Sequence, residues 1–377
     1  MKDEPCMTAD GCGRNACGTK GCGHHAGGTG LGGVLMLVAA LIVAAVAVYT
    51  LLWDSPGGPG DKSAERSELN LDNHIRIAPE LLAFEQVHGF PVTIEAPSAI
   101  ALGPDGRIYV AGSRAVEILD ATGRPAGSIA LDSPATCMAV AGEGTAEPGR
   151  VYVGAATHVM PYGADLKALK KWPVTDEKSV LTAIAVAADD IFVADAGTGV
   201  VLRYSADGQM IGRIGANDPD RHVSSFVIPS AHFDLVIDAS QETVFVVNPG
   251  MRRVESYTFD GQLQSVWGRA GTDIAEFFGC CNPAHLARLP DGRFVTSEKG
   301  IPRVKVYSEF GEFESVVAGP GELEVPASAL GDARGGEAQR VFDVAVSSSG
   351  DVLVLDARKQ RVRVFRPKSV RRAEQDT

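Results

Sequence analysis

The segment IFVADAGTGVVLRYSADGQMIGRIG, residues 191–215, decides the fold because related segments recur along the chain. It reads as a short strand, a polar turn, a second alternating strand, a glycine-containing hairpin and a third strand. Similar segments occupy residues 108–129, 151–169, 244–268, 294–319 and 352–368. An Ala- and Val-rich run before each segment supplies an inner strand. Six four-stranded units, spaced by some 41 to 58 residues, predict an all-β six-bladed β-propeller.

The last unit lacks a fourth strand in its own sequence. The stretch LLAFEQVHGF, residues 81–90, lies before the first unit and has the length and apolar content of a strand. We expect it to pair with the last unit, because this closes the ring and leaves no open sheet edge.

The repeat has a recognisable internal pattern. Apolar residues followed by Ala-Asp open the segment at 191–215, and an Arg, an aromatic residue, a turn glycine and a final glycine follow. This pattern resembles the NHL repeat of six-bladed propellers, and the resemblance covers roughly Ala78 to Pro367. The block from IPSAHFDLVID through VVNPG and GCCNPAHLA to TSEKGIPRVKVY resembles a block of bacterial membrane-anchored NHL proteins. The resemblance implies the fold but not the function, because NHL propellers include protein-binding scaffolds, RNA-binding modules and some metal-dependent lyases and hydrolases.

The charge of the chain bears on its partners. The formal net charge is −12 at pH 7, with 47 acidic and 35 basic residues. Nucleic-acid binding needs clustered Lys and Arg that neutralise phosphates. We therefore expect no nucleic-acid partner.

The segment from Leu31 to Trp53 carries no charged residue over 23 positions. As a helix it would be about 35 Å long, against a bilayer core of ~30 Å. It is too long, and begins too late, for a cleaved signal peptide. The sequence therefore predicts a single-pass transmembrane helix at residues 31–53.

The predicted helix divides the chain into parts. Residues 1–30 form a Cys- and Gly-rich tail, 54–75 a flexible linker, 76–367 the propeller and 368–377 a charged C-terminal tail. A small excess of basic residues before the helix favours a cytoplasmic N-terminus. We expect a protein of the bacterial inner membrane with a periplasmic propeller.

The candidate site lies on one face of the propeller, where the longest inter-unit connections fall: Ala216 to Ala231, Ala270 to Ala284 and Pro320 to Arg340. Alignment of the inner strands puts His232, His285 and Cys137 at one mouth of the central channel. The ligand-binding candidates are Cys280, Cys281, His285, His232, Asn248, Glu298 and Lys299. For Asn248 and Glu298 the alternative is a structural role in the turns of the repeat. For the histidines it is hydrogen bonding at the rim, and for Cys137 it is burial as a small apolar residue.

The adjacent thiols of Cys280 and Cys281 leave three interpretations open. They could form a strained vicinal disulfide that serves as a platform for a ligand. They could bind a metal or exchange electrons, or they could be two inert or separately paired thiols. Sulfur and imidazole ligands suit Zn or Cu, so we consider a Zn or Cu site at the channel mouth built from Cys280, Cys281, His285, His232 and Cys137.

The N-terminal tail gathers a second set of thiols and imidazoles: Cys6, Cys12, Cys17, Cys22 and His24. Cytosolic thiols stay reduced, and clusters of them often hold a metal. Their spacing matches no common zinc or iron–sulfur pattern. The alternatives are a Zn or iron–sulfur site and a flexible tail without a ligand.

Taken together, these patterns predict a membrane-anchored propeller that acts as a binding module for a protein partner or small ligand, and they favour binding over catalysis without deciding between them. The alternative is a metal-dependent or thiol-redox component, such as part of an electron-transfer system, a lyase or a hydrolase, that uses the loop from Cys280 to His285. No nucleophile elbow, phosphate-binding loop or haem-attachment motif favours a particular chemistry.

Overall fold

The computed structural model describes residues 75–173, 176–216, 225–326 and 341–369. The predicted tail at residues 1–30, the helix at 31–53 and nearly all of the linker lie outside these ranges. No helix within the described residues is long and apolar enough to cross a membrane.

The described strands form six antiparallel sheets arranged as the blades of a β-propeller. Five sheets have four strands and one has three. Apart from a short 3-10 helix at Pro79–Leu81, the elements are strands. In chain order these are β1 (Phe84–Pro91), β2 (Ala99–Leu102), β3 (Ile108–Ala111), β4 (Ala115–Leu119), β5 (Pro125–Ala130), β6 (Cys137–Val140), β7 (Val151–Ala155), β8 (His158–Tyr162), β9 (Leu181–Ala187), β10 (Asp190–Asp195), β11 (Val200–Ser205), β12 (Met210–Ile214), β13 (Leu235–Asp238), β14 (Thr243–Asn248), β15 (Arg253–Thr258), β16 (Leu263–Trp267), β17 (His285–Arg288), β18 (Phe294–Ser297), β19 (Val304–Tyr307), β20 (Phe313–Ala318), β21 (Asp343–Val346), β22 (Val352–Asp356) and β23 (Arg361–Pro367).

The ring closes through strands from the two ends of the propeller. Blades one to five take their strands from β2–β5, β6–β8, β9–β12, β13–β16 and β17–β20, and blade six has the order β1-β23-β22-β21. Strand β1 pairs antiparallel with β23, from Phe84 opposite Pro367 to Pro91 opposite Arg361. The predicted closing strand is therefore confirmed.

Neighbouring blades pack face to face through apolar side chains. Val295 and Val306 of blade five share one buried cluster with Val354 and Phe365 of blade six. Each strand contributes residues to both faces of its blade, and β-branched residues fill such two-sided sheets well. Burial between the blades therefore provides the hydrophobic core.

The glycine of the repeat hairpin also has a packing role. Gly311 has a φ of +82°, and a Cβ added there would lie 2.3 Å from Trp267 of the preceding blade. At Gly208 the corresponding distance, to Trp172, is 2.4 Å. Only glycine fits these positions, because the left-handed backbone and the indole beneath it both exclude a side chain.

Blade two departs from the predicted four strands. The segment after β8 makes one isolated bridge, between Tyr162 and Ala168, in place of a regular fourth strand. Leu169 N–H donates to the carbonyl of Pro161 at 2.9 Å, and Trp172 N–H donates to that of Val159 at 3.0 Å. Pro161 has no N–H to return a ladder bond, so the pairing is irregular.

Candidate functional site

Six equivalent residues, each in an inner strand or immediately before it, surround one end of the central channel. In each blade, the residue pairs with the same repeat position of the second strand. For blade four the match is fixed by the Val247 N–H, which donates to the carbonyl of Asp234 at 2.9 Å. We call this set the polar ring: Ala99, Cys137, Ala183, Asp234, His285 and Asp343.

The polar ring corrects the alignment made from the sequence. In blade four the equivalent of His285 is Asp234, and His232 lies two residues earlier. His232 is nevertheless close, with its ring centroid 6.4 Å from that of His285. Asp234 and Asp343 were not among the predicted candidates, although they begin the runs DLVIDASQ and DVAVSSSG in the same way as His285 begins HLARLPDG.

His285 lies between the two carboxylates of the ring. Its Nδ1 is 3.2 Å from Oδ2 of Asp234 and 3.3 Å from Oδ1 of Asp343. The N–H of Leu286 donates to Asp234 at 2.9 Å, and the N–H of Ile100 donates to Asp343 at 2.8 Å. Each carboxylate therefore also joins two adjacent blades, which fixes the side chains in place.

The electrostatics of this cluster favour a protonated imidazole. Burial lowers the pKa of His285, but the charge of Asp343 and the hydrogen bond with Asp234 outweigh it and raise that pKa to about 9. Burial raises the pKa of Asp343, and the positive charge of His285 opposes this change. The protonated imidazole and the neighbouring acidic side chains therefore attract one another at the channel mouth.

A second ring of equivalent residues lies three positions further along the inner strands, roughly 10 Å away. It is apolar except for one cation and consists of Leu102, Val140, Val186, Ile237, Arg288 and Val346. Arg288 is paired with Asp238 at 2.8 Å. The cavity between the rings has a volume of about 350 Å³, which is at the lower end of the range for small-ligand sites.

His232 occupies a different electrostatic environment from His285. Burial lowers the pKa of His232 to about 3, and the positive charges of His285 and Lys299 add to this effect. The ammonium of Lys299 lies 3.1 Å from Oγ of Ser230. A neutral imidazole and a lysine ammonium thus lie near the polar ring.

The predicted sulfur and nitrogen site is not assembled in the structure. Among the described residues, the acidic, His and Cys groups that come together in a set of three, with ligand atoms within 4.8 Å of one another, are Asp234, His285 and Asp343. Cys280, Cys281, His232 and Cys137 do not join His285 in such a set. The donors at the mouth are therefore two carboxylates and an imidazole.

The thiols themselves differ in environment. Cys280 is exposed, Cys281 is buried, and their sulfurs are 3.3 Å apart. Cys137 is buried within the polar ring, and burial raises the pKa of its thiol to about 12. This position agrees with the alternative that Cys137 packs as a small apolar residue.

Asn248 and Glu298 are buried and paired within their own blades. The Nδ2 of Asn248 donates to Glu255 at 2.9 Å, and its Oδ1 accepts from the N–H of Val227 at 3.1 Å. Glu298 contacts Arg303 at 2.6 Å and Lys305 at 2.5 Å. These contacts favour the structural alternative for both residues.

The tail candidates Cys6, Cys12, Cys17, Cys22 and His24 lie outside the described residues. Their proposed Zn or iron–sulfur site therefore stays a prediction.

Comparison with solved structures supports the propeller fold. A structure titled "Streptogramin B lyase structure" superposes with a TM-score of 0.52 at 13% identity, covering 77% of this chain and 100% of the other. At this identity the likeness shows the fold alone. No protein-family model matches the chain. The search of curated proteins also gave no match.

Proposed function

We propose that this protein is a membrane-anchored binding propeller whose ligand is a divalent cation held at the polar ring. The observation that carries the proposal is the convergence of Asp234, His285 and Asp343, whose ligand atoms lie within 4.8 Å of one another. Three side-chain donors leave coordination positions open for water or for a group on a larger partner.

The charge of the cluster supports a cation. The donors are two acidic side chains and one imidazole. A divalent cation bound by two carboxylates and a neutral imidazole forms a neutral site. Such a site suits a partly buried position, where an unbalanced charge is costly.

The donor set indicates which cations fit. Carboxylate oxygens suit Mg²⁺, Ca²⁺ and Mn²⁺, whereas imidazole suits Zn²⁺ and other transition ions. Two carboxylates with one imidazole therefore favour Mn²⁺ or Zn²⁺ over the softer Cu⁺.

Titration of the full-length protein with Mn²⁺ after chelation tests the proposal, because thiolates of the tail prefer softer ions. We expect one tight site, weakened roughly 100-fold by Asp343→Asn. Asparagine keeps an oxygen for the Ile100 N–H but removes the charge. Asp291→Asn changes an exposed carboxylate that pairs with Arg293 and serves as the control. Equal affinity in the two variants, or no Mn²⁺ uptake, would overturn the proposal.

The pH dependence of this binding has a defined sign. Because the pKa of His285 is raised to about 9, a cation that uses this imidazole must displace a proton below that pH. Affinity should therefore fall by up to about tenfold for each pH unit below 9. Isothermal titration in buffers of different ionisation enthalpy measures the released proton directly.

The location in the membrane rests on the sequence. We propose a single-pass anchor at residues 31–53 with a periplasmic propeller, because the segment is long, apolar and uncharged. Protease added to spheroplasts should digest the propeller while leaving a cytoplasmic marker intact. Protection of the propeller in intact spheroplasts would indicate the opposite orientation, with the propeller in the cytoplasm.

A second candidate is a lyase or hydrolase that uses the protonated imidazole of His285 at the same site, with no cation bound to this imidazole. The observation that favours it is an imidazole whose raised pKa keeps it protonated at neutral pH beside a cavity of about 350 Å³. Such a group is suited to donate a proton to a leaving group. Turnover of lactone or ester substrates that is lost in His285→Gln would support this candidate over binding alone.

A further inference from the structure

The loop before β17 presents two adjacent thiols at the same face as the polar ring. Cys280 is exposed and Cys281 is buried, and neither forms a disulfide in the structure. We propose that this pair is a chelating site for trivalent arsenicals. The inference is independent of the cation proposed for the polar ring, because the thiols share no donor with it.

Hydrogen bonds hold the thiol loop in one conformation. The Asn282 Nδ2 donates to the carbonyls of Phe278 and Lys299, the latter at 2.9 Å. The Lys299 N–H donates back to Asn282 Oδ1 at 2.9 Å. Asn282 is itself buried, so these bonds are shielded from water. The loop is therefore tied to the β18–β19 turn, and little conformational entropy is lost when the thiols bind a ligand.

The separation of the two sulfurs selects among thiophilic ligands. For ligand–sulfur bonds of about 2.3 Å, sulfurs 3.3 Å apart subtend roughly 90° at the central atom. A linear two-thiolate ion such as Cu⁺ would need them about 4.6 Å apart, and a tetrahedral ion about 3.8 Å apart. Trivalent arsenic carries a lone pair that compresses its bond angles toward a right angle, so it fits the pair as it stands.

The surroundings also favour a ligand that needs few protein donors. Within the described residues, no third Cys, His, Asp or Glu joins Cys280 and Cys281 in a set with ligand atoms within 4.8 Å. Structural zinc requires four ligands and would lack two of them. An organoarsenical needs only two thiolates, because its third bond is to carbon.

The reaction is a ligand exchange without oxidation or reduction. Phenylarsine oxide exists in water as the dihydroxide, with two hydroxyl groups on arsenic. Each thiol sulfur forms a bond to arsenic, one arsenic–oxygen bond breaks for each, and each thiol proton leaves with the hydroxide as water. One arsenical dihydroxide and two thiols thus give one dithiolate adduct and two waters.

Phenylarsine oxide is the probe for the test. The full-length protein, carrying Ser in place of Cys6, Cys12, Cys17 and Cys22, is reduced, freed of reductant and mixed with the arsenical in excess monothiol. We expect intact mass to show one phenylarsenic group per chain, released by 2,3-dimercaptopropanol. The adduct should be absent in Cys280→Ser and in Cys281→Ser. Cys137→Ala, which alters a thiol outside the loop, should retain it.

Two results would overturn the proposal. One is a reduced, folded background protein that binds no arsenical in the presence of monothiol. The other is an adduct that persists in Cys280→Ser. Because Cys280 is exposed, that variant should fold even if Cys281→Ser does not, and circular dichroism checks the folding of each.

Discussion

Blades one to three and blades four to six share one backbone plan but differ at the polar ring. The first three contribute Ala99, Cys137 and Ala183, which are uncharged and buried. The other three contribute the two carboxylates and the imidazole of the cluster. The long connections at 216–231, 270–284 and 320–340 lead into these same three blades. The six blades therefore provide equivalent positions around the ring, but the cluster of two carboxylates and one imidazole comes from blades four to six alone.

The largest expected effect is a pH-dependent change in the free energy of unfolding caused by His285, in blades four to six. The pKa of His285 is about 9 in the folded chain, against 6.5 for an unperturbed histidine. Protonated His285 therefore contributes on the order of 3 kcal/mol to the free energy of unfolding. This contribution is fully present below pH 6.5 and is lost as the pH rises to 9. His285→Gln should remove this loss. Urea unfolding of the chelated full-length protein between pH 6 and 9 measures it.

The exposed His88 offers a matched control for that measurement. His88→Gln should leave the alkaline loss of stability as it is in the original chain. If His285→Gln shows the same loss between pH 6.5 and 9, then the carboxylates do not hold the proton on His285.

A second prediction concerns a carboxylate introduced into the part of the polar ring that blades one to three form. Ala183→Asp places a carboxylate at the position equivalent to Asp234. The nearest equivalent backbone donor, the Leu235 N–H, already serves Asp234 at 2.7 Å. A buried carboxylate without this donor from the next blade should cost about 2 kcal/mol or more of unfolding free energy. Urea midpoints of the variant and the original chain measure the cost.

Ala126→Asp provides the comparison for that substitution, because Ala126 lies exposed on β5. Its effect should stay within about 0.5 kcal/mol. An Ala183→Asp chain as stable as the original would mean that the ring accepts charge in either half, and the asymmetry would then have no structural basis.

The sequence was sufficient to predict the propeller because the fold rests on repeated local patterns. The period gave six blades, and the strand at 81–90 was correctly assigned to close the ring, as the pairing of Phe84 with Pro367 confirms. Blade two escaped prediction, since a single proline at position 161 removes one ladder donor without changing the overall pattern. The alternation of apolar and polar residues is the same whether or not one backbone N–H is missing, so it does not predict the irregular fourth strand.

The site was predictable only in part. The structure has His285 and Cys137 at one level of the channel, as the alignment predicts, but it does not bring Cys280 or Cys281 into a three-donor set with His285. Loop residues have no fixed register, so their distance from the ring could not be derived from spacing. Asp234 and Asp343 do have a register. They were missed because a carboxylate at the start of a strand resembles an ordinary turn residue.

The smallest expected effect separates the two neighbouring histidines. The pKa of His232 is lowered to about 3, by burial and by the positive charges of His285 and Lys299, so the folded chain keeps this imidazole neutral. The unfolded chain takes up a proton below pH 6.5, and stability is therefore lost as pH falls from 6.5 toward 3. After allowance for partial exposure, His232→Gln should recover about 1 kcal/mol at pH 5 and nothing at pH 7.5. Urea midpoints at the two pH values give the comparison, with His88→Gln again as the control. An equal acid loss in His232→Gln and the original chain would show that His232 is protonated in the fold, and that positive charge at the mouth does not reach it.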